Sequence, residues 1–139
     1  MADATQFVGT WKLISVEDTL ANGVVEYPYG RDPAGLLVYD SSGRMAVQIV
    51  RRNRPRLSSD SINEATAEEI KAAADGFTAF FGTYTVDEVE SKVTHLVEGH
   101  LSPNSIGKNL VREYQFIENR LILRPSVART IVWERVSRT

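Results

Sequence analysis

His95 is the side chain best suited to move a proton near neutral pH, and strand alternation puts it on one face with Val93 and Val97. If that face is internal, a neutral imidazole lies among aliphatic groups, able to orient a carbonyl or exchange a proton with it. The competing structural role is a buried histidine satisfied by a tyrosine or a backbone carbonyl. The same alternation groups Arg112 and Tyr114 with Leu110 and Phe116. A guanidinium on an internal face needs a partner, and one left free by the protein can anchor a ligand. Tyr39, Tyr84 and Tyr114 can donate hydrogen bonds to a carbonyl oxygen, or fill core with their hydroxyls at the rim. The candidate set is therefore His95 as acid–base, with Tyr39, Tyr84, Arg112 and Tyr114 as ligand contacts. Glu98 falls on the opposite face from His95, exposed or paired with a neighbouring strand.

Other chemistries find no support. His95 and His100 are five residues apart, on opposite faces of an extended strand, and lack a nearby third ligand, so no metal site is expected. The chain has no cysteine, which removes thiolate ligands, thiol catalysis and disulfides and fits a reducing compartment. There is no Gly-x-Ser-x-Gly elbow, phosphate loop or dinucleotide fingerprint, and no cofactor is expected. Residues 51–56 form the one basic cluster, but the formal net charge is −2 and no aromatic residues interleave the arginines. A solvated rim loop is the expected role, with one arginine able to turn inward towards an anionic ligand group, and no nucleic-acid partner is expected. No apolar run approaches the ~18 residues of a membrane helix, and the N-terminal stretch lacks the basic and apolar segments of a signal peptide. A cytoplasmic protein with no membrane partner is the expectation.

These residues must be positioned by short strands. An apolar share of 42% in 139 residues suits one domain, residues 1–139, with a single core. A first strand runs from Thr10 to Glu17, and Trp11 plugs one end of the fold. A long connection rich in aromatic and proline residues, including Tyr27, Pro28, Tyr29 and Pro33, suggests an ordered loop at a barrel mouth. Leu36 to Asp40 and Arg44 to Val50 flank a Ser-Ser-Gly turn and form the clearest hairpin, with Met45, Val47 and Ile49 on one face. Thr66 and Glu69 make a capping box. After it Ile70, Ala73, Ala74, Phe77, Phe80 and Phe81 recur at helical spacing, so a helix is expected over about 66–80, interrupted by Gly76 and ending at Gly82. Such a helix would pack its phenylalanine face on the core, with a barrel cap or a homodimer contact as the alternatives. Beyond it, strands are expected at 83–86, 92–98, 109–117, 120–124 and 129–135. About eight short strands with one helix between them argue for an antiparallel barrel.

The segments Phe7-x-Gly9-Thr10-Trp11-Lys12-Leu13, Gly35-x-Leu37-x-Tyr39, Gly43-Arg44-Met45, Phe81-Gly82-Thr83-Tyr84-Thr85-Val86, with His95 and Pro103-Asn104, together resemble the lipocalin-like domain family of small bacterial and fungal proteins. The resemblance spans Phe7 to Arg135. It implies an all-β, eight-stranded, up-and-down antiparallel barrel of the lipocalin or calycin type around a cavity for a small, mostly apolar molecule. It also implies that an arginine of a late strand, here Arg112 or Arg124, packs across Trp11. The leading functional expectation is binding of a small hydrophobic or aromatic metabolite. The alternative is a cofactor-independent isomerase, cyclase or lyase-type enzyme acting on a small carbonyl compound, with His95 as acid–base and Arg112 and a tyrosine as anchors.

Overall fold

A computed structural model describes residues 4–137; Met1, Ala2 and Asp3, part of the stretch read above for a signal peptide, lie outside the described residues. Nine strands are present among them: β1 (Gly9–Thr19), β2 (Val25–Glu26), β3 (Ala34–Tyr39), β4 (Arg44–Val50), β5 (Phe77–Asp87), β6 (Lys92–His100), β7 (Asn109–Ile117), β8 (Arg120–Arg124) and β9 (Arg129–Arg135). From β3 to β9 each strand pairs antiparallel with the next, β1 pairs with β3, and β1–β9 pairing closes the ring. The two-residue β2 only extends the tip of β1, so the barrel proper has eight strands in up-and-down order. Closure leaves no long unpaired edge, which is how an all-β chain avoids edge-to-edge association.

Strand alternation builds the core. In β4, Met45, Val47 and Ile49 are buried while Arg44, Ala46 and Gln48 face solvent. Two bulges break this period-two rule. In β1 the pairing with β9 slips between Leu13 and Ser15, so Trp11 and Leu13 point inward before the slip and Val16 is buried after it. In β6 the pairing with β5 slips between Phe81 and Gly82: Gly82 faces Val97 whereas Phe80 faces His100. One extra β6 residue is thereby inserted, and the inward face shifts. Gly82 permits this, because a Cβ there would lie 1.8 Å from the Leu96 carbonyl oxygen.

One end of the barrel is packed shut. The chain enters through a 3-10 turn, Ala4–Phe7, that carries Phe7 into the centre. The Phe7 ring meets Tyr39, Tyr114 and Phe116 edge-on at centroid distances of 5.3, 4.8 and 4.9 Å. Trp11 is buried beside this cluster and its indole N–H donates to the Phe7 carbonyl at 2.9 Å. The cation over Trp11 is Arg135, 4.2 Å from the ring centroid, rather than Arg112 or Arg124. Arg135 also donates to the carbonyls of Val8 and Gln6. Its guanidinium passes so close to Gly9, which has φ of +140°, that a Cβ there would sit 2.7 Å from Arg135 Nη1. The glycine and tryptophan of the Gly-x-Trp segment are thus both explained by one arginine. Arg124 instead lies outside, 3.5 Å from Gln115 Oε1.

The helix differs from the sequence expectation. Helix α1 (Ala67–Asp75) has the anticipated Thr66–Glu69 capping box, but it stops at Gly76, and Phe77 begins β5. Phe77 through Thr83 pair with β4, from Val50↔Phe77 to Arg44↔Thr83. The phenylalanines at helical spacing also fit a strand: Phe80 turns inward while Phe81 lies outside. Phenylalanine and threonine favour a pleated surface, and β4 offers a full ladder of hydrogen bonds that a longer helix would leave unmet. No α1 residue is buried, and Ile70 is 45% exposed. The helix lies at the rim and carries no phenylalanine face for a cap or a dimer contact.

The basic cluster is a set of staples for the mouth loops. Arg51 donates to the Pro28 carbonyl, Arg52 to the Asp32 carbonyl, and Arg54 to the Ala73 carbonyl in the last turn of α1. That last contact satisfies a helix-end carbonyl and complements the helix dipole.

Candidate functional site

The other half of the barrel encloses a cavity of about 420 Å³. Its walls are mostly aliphatic and aromatic, with Val16, Leu37, Val47, Ile49, Leu123 and Ile131 joined by Phe80 and Trp133. Tyr29 of the long connection reaches its mouth, as do Pro125, Ser126 and Ala128 between β8 and β9. Pro125 ends β8 early, and in the β7–β8 ladder the pairing extends only to Glu113↔Arg124. Residues 109–112 of β7 therefore pair with β6 alone, which leaves Arg112 beside the mouth.

Two candidates from the sequence, His95 and Arg112, line this cavity. His95 is 2% exposed, and its Nε2 lies 2.6 Å from the Tyr39 hydroxyl oxygen. Its Nδ1 is buried and has no partner among the described residues. If Tyr39 donates to Nε2, the only unmet group is one N–H at Nδ1. The opposite tautomer strands both the tyrosine proton and a ring lone pair, so the first is the better assignment. Burial, reinforced by the Arg112 charge, pushes the His95 imidazole down to about 3, so it is neutral at ordinary pH. Burial also raises the Tyr39 phenol, with Arg112 opposing, so the pair is a neutral hydrogen-bonded unit.

Tyr39, Tyr84 and Tyr114 are not on the cavity wall. Tyr39 stands behind His95, with its ring 4.6 Å from that of Tyr84. The Tyr84 hydroxyl donates to the Asp40 carbonyl at 2.8 Å, and Tyr114 belongs to the Phe7 cluster. All three belong to the packed end, and none of them lines this cavity. Glu98 is exposed and pairs with Arg44 at 3.0 Å, across the intervening β5.

Several polar or aromatic groups of the cavity are absent from the sequence-derived set, Asp18, His100, Arg129 and Trp133 among them. Asp18 and Arg129 form a two-point ion pair, Nε to Oδ1 at 2.7 Å and Nη2 to Oδ2 at 2.8 Å. The hydrogen bond from Arg129 holds the Asp18 carboxyl below its ordinary range, against burial. His100 lines the cavity with His95, because the β6 bulge cancels their opposite parity. Its ring stacks on Phe80 at 5.1 Å and 5°, and its Nδ1 accepts from the Ser102 amide at 2.9 Å. Burial, aided by the Lys108 charge, lowers its tendency to protonate. Trp133 is buried and its indole N–H has no acceptor among the described residues. Among those residues no three His, Asp or Glu side chains gather as a metal site would require.

A closed eight-stranded up-and-down barrel, packed at one end and hollow at the other, defines the class of small-molecule-binding β-barrels. The chain belongs to the lipocalin-like domain family, whose model matches residues 8–139. No curated protein matches it. Among the described residues no helix is long and apolar enough to cross a membrane.

Proposed function

We propose that this protein binds a small, largely apolar molecule inside the barrel. The observation that carries the reading is the cavity itself: about 420 Å³, walled mainly by aliphatic and aromatic side chains. Ligand sites of proteins typically have this size range and this balance of apolar wall and few polar groups. An intracellular setting suits a chain without cysteine.

The reading is tested by titration with N-phenyl-1-naphthylamine, a neutral dye that brightens in apolar surroundings. Saturable binding of one dye per chain is expected. Val47→Phe, which pushes a ring into the cavity from β4, should weaken it tenfold or more while the β-sheet circular dichroism is kept. Fluorescence that rises without saturation, or that ignores Val47→Phe, would count against a cavity ligand.

The isomerase, cyclase or lyase-type reading draws support from His95 and Arg112 lining one cavity. An imidazole pushed down to about 3 is, however, a poor proton acceptor at neutral pH. The neutral imidazole is better suited to donate a hydrogen bond than to abstract a proton, which favours binding over acid–base turnover.

A further inference from the structure

We infer that the ligand of this cavity is an organic anion, with a carboxylate or another singly charged oxygen acid seated against Arg112 and an apolar body against the aliphatic wall. The inference rests on the cavity-binding reading and names the chemical class of its ligand.

The first support is charge balance. The ionised side chains lining the cavity are Asp18, Arg112 and Arg129, since both histidines are held neutral. The one carboxylate is already gripped at two points by Arg129. Arg112 has no hydrogen bond and no ion pair with the described residues, although it is half-buried and lines the same cavity. The cavity therefore carries one net positive charge. A guanidinium keeps its proton in proteins, so it cannot relieve a poor environment by becoming neutral. Removing a cation from water is costly unless a counter-charge accompanies it, and among the described residues no group at this site supplies one.

The second support is the kind of hydrogen bond left unmet. Arg112 and the indole of Trp133 can only donate. His95, in the tautomer that leaves fewest groups stranded, adds an N–H at Nδ1. These three residues all line the cavity, and the Nδ1 and indole groups are buried without partners among the described residues. Spare donors with a spare positive charge call for a ligand rich in acceptor oxygens. A planar carboxylate also matches the fork of a guanidinium, as Asp18 already does on Arg129. An alcohol or amide would satisfy donors but leave the charge; an amine would add to it.

The test compares 2-naphthoate with 2-naphthamide, which differ in charge but hardly in shape, by calorimetric titration of the whole chain at pH 7.5. The wild type should bind the acid at least tenfold more tightly. In Arg112→Gln the ratio of the two affinities should fall to about one, and Arg112→Lys should restore part of the preference, because it returns the charge but not the fork. Circular dichroism checks that each variant is folded. Equal affinities in the wild type would overturn the inference without recourse to any variant. So would an acid preference that survives in Arg112→Gln. If the amide binds saturably and the acid binds no better, only the anion assignment fails. If neither compound binds, cavity binding itself fails and the anion assignment falls with it.

Discussion

Tyr39 and His95, on strands β3 and β6, meet inside the barrel with 2.6 Å between phenolic oxygen and Nε2, and this contact joins the packed end to the cavity. Behind Tyr39 stand Phe7 and Tyr84; in front of His95 lies the hollow half. Removing the hydroxyl with Tyr39→Phe leaves Nε2 buried and unpaired. Urea unfolding should show a loss of about 1–3 kcal/mol, the usual cost of a stranded buried polar group.

The same histidine sets a pH dependence of stability. In the unfolded chain it takes up a proton near pH 6.5, whereas in the fold it does so only at about 3. Between those values the unfolded state binds more protons, so stability falls as pH drops from 6.5 towards 3, by up to about 1.4 kcal/mol per pH unit. Urea midpoints measured from pH 7 to 4 should show this slope, and His95→Asn should flatten it. Asp18 acts lower on the scale. Its carboxyl is depressed by Arg129, so its contribution is present above the unfolded value near 4 and is lost as pH falls through the folded one.

Arg135, not Arg112 or Arg124, is the arginine that locks Trp11. Arg135→Ala removes a cation over the ring and the donors to two backbone carbonyls. It should destabilise the fold by about 1–3 kcal/mol in urea. Arg124→Ala removes only a long contact to Gln115 on the outer surface and should stay within about 0.5 kcal/mol of wild type. The reverse order would restore Arg124 as the partner.

The bulge in β6 depends on Gly82. A methyl group there meets the Leu96 carbonyl at 1.8 Å, and that atom belongs to the backbone, so the strands must part. Gly82→Ala should therefore destabilise the barrel by more than about 2 kcal/mol, as forced overpacking does. Because the bulge also turns His100 inward, the same variant should shift the imidazole resonances of His100 in an NMR spectrum. A variant as stable as wild type, with His100 undisturbed, would show that the bulge does not need the glycine.

Eight antiparallel strands are legible in the sequence, as are the shared faces of β4, of β6 as far as Val97, and of β7, because period-two alternation holds there; the two-residue β2 and the first half of β5 are not. His95 and Arg112 were found by that rule. Asp18 and His100 were not, and the cause is the same for both. Each lies beyond a bulge, at Leu13–Ser15 in β1 or between Val97 and Gly99 in β6, and one extra residue reverses the face. No composition or spacing signal marks where a strand will bulge, although Gly82 and Gly99 hint at it in β5 and β6. The end of the helix is not legible because Phe77, Phe80 and Phe81 fit both a helical stripe and a strand, and pairing with β4 decides between them. The arginine over Trp11 depends on how β1 and β9 close the ring, a contact between the two ends of the chain that local pattern does not encode.

The two tryptophans supply the most direct measurement, because they lie in opposite halves of the barrel. Trp133 lines the cavity with its indole N–H unpaired among the described residues, whereas Trp11 is locked to the Phe7 carbonyl under Arg135. In a 15N–1H spectrum each contributes one indole signal, which can be followed during titration with N-phenyl-1-naphthylamine. Binding inside the barrel predicts a saturable shift of the Trp133 signal at one dye per chain, with the Trp11 signal nearly still. A Trp133 signal that stays fixed while dye binds would put the ligand elsewhere and contradict a cavity-binding function.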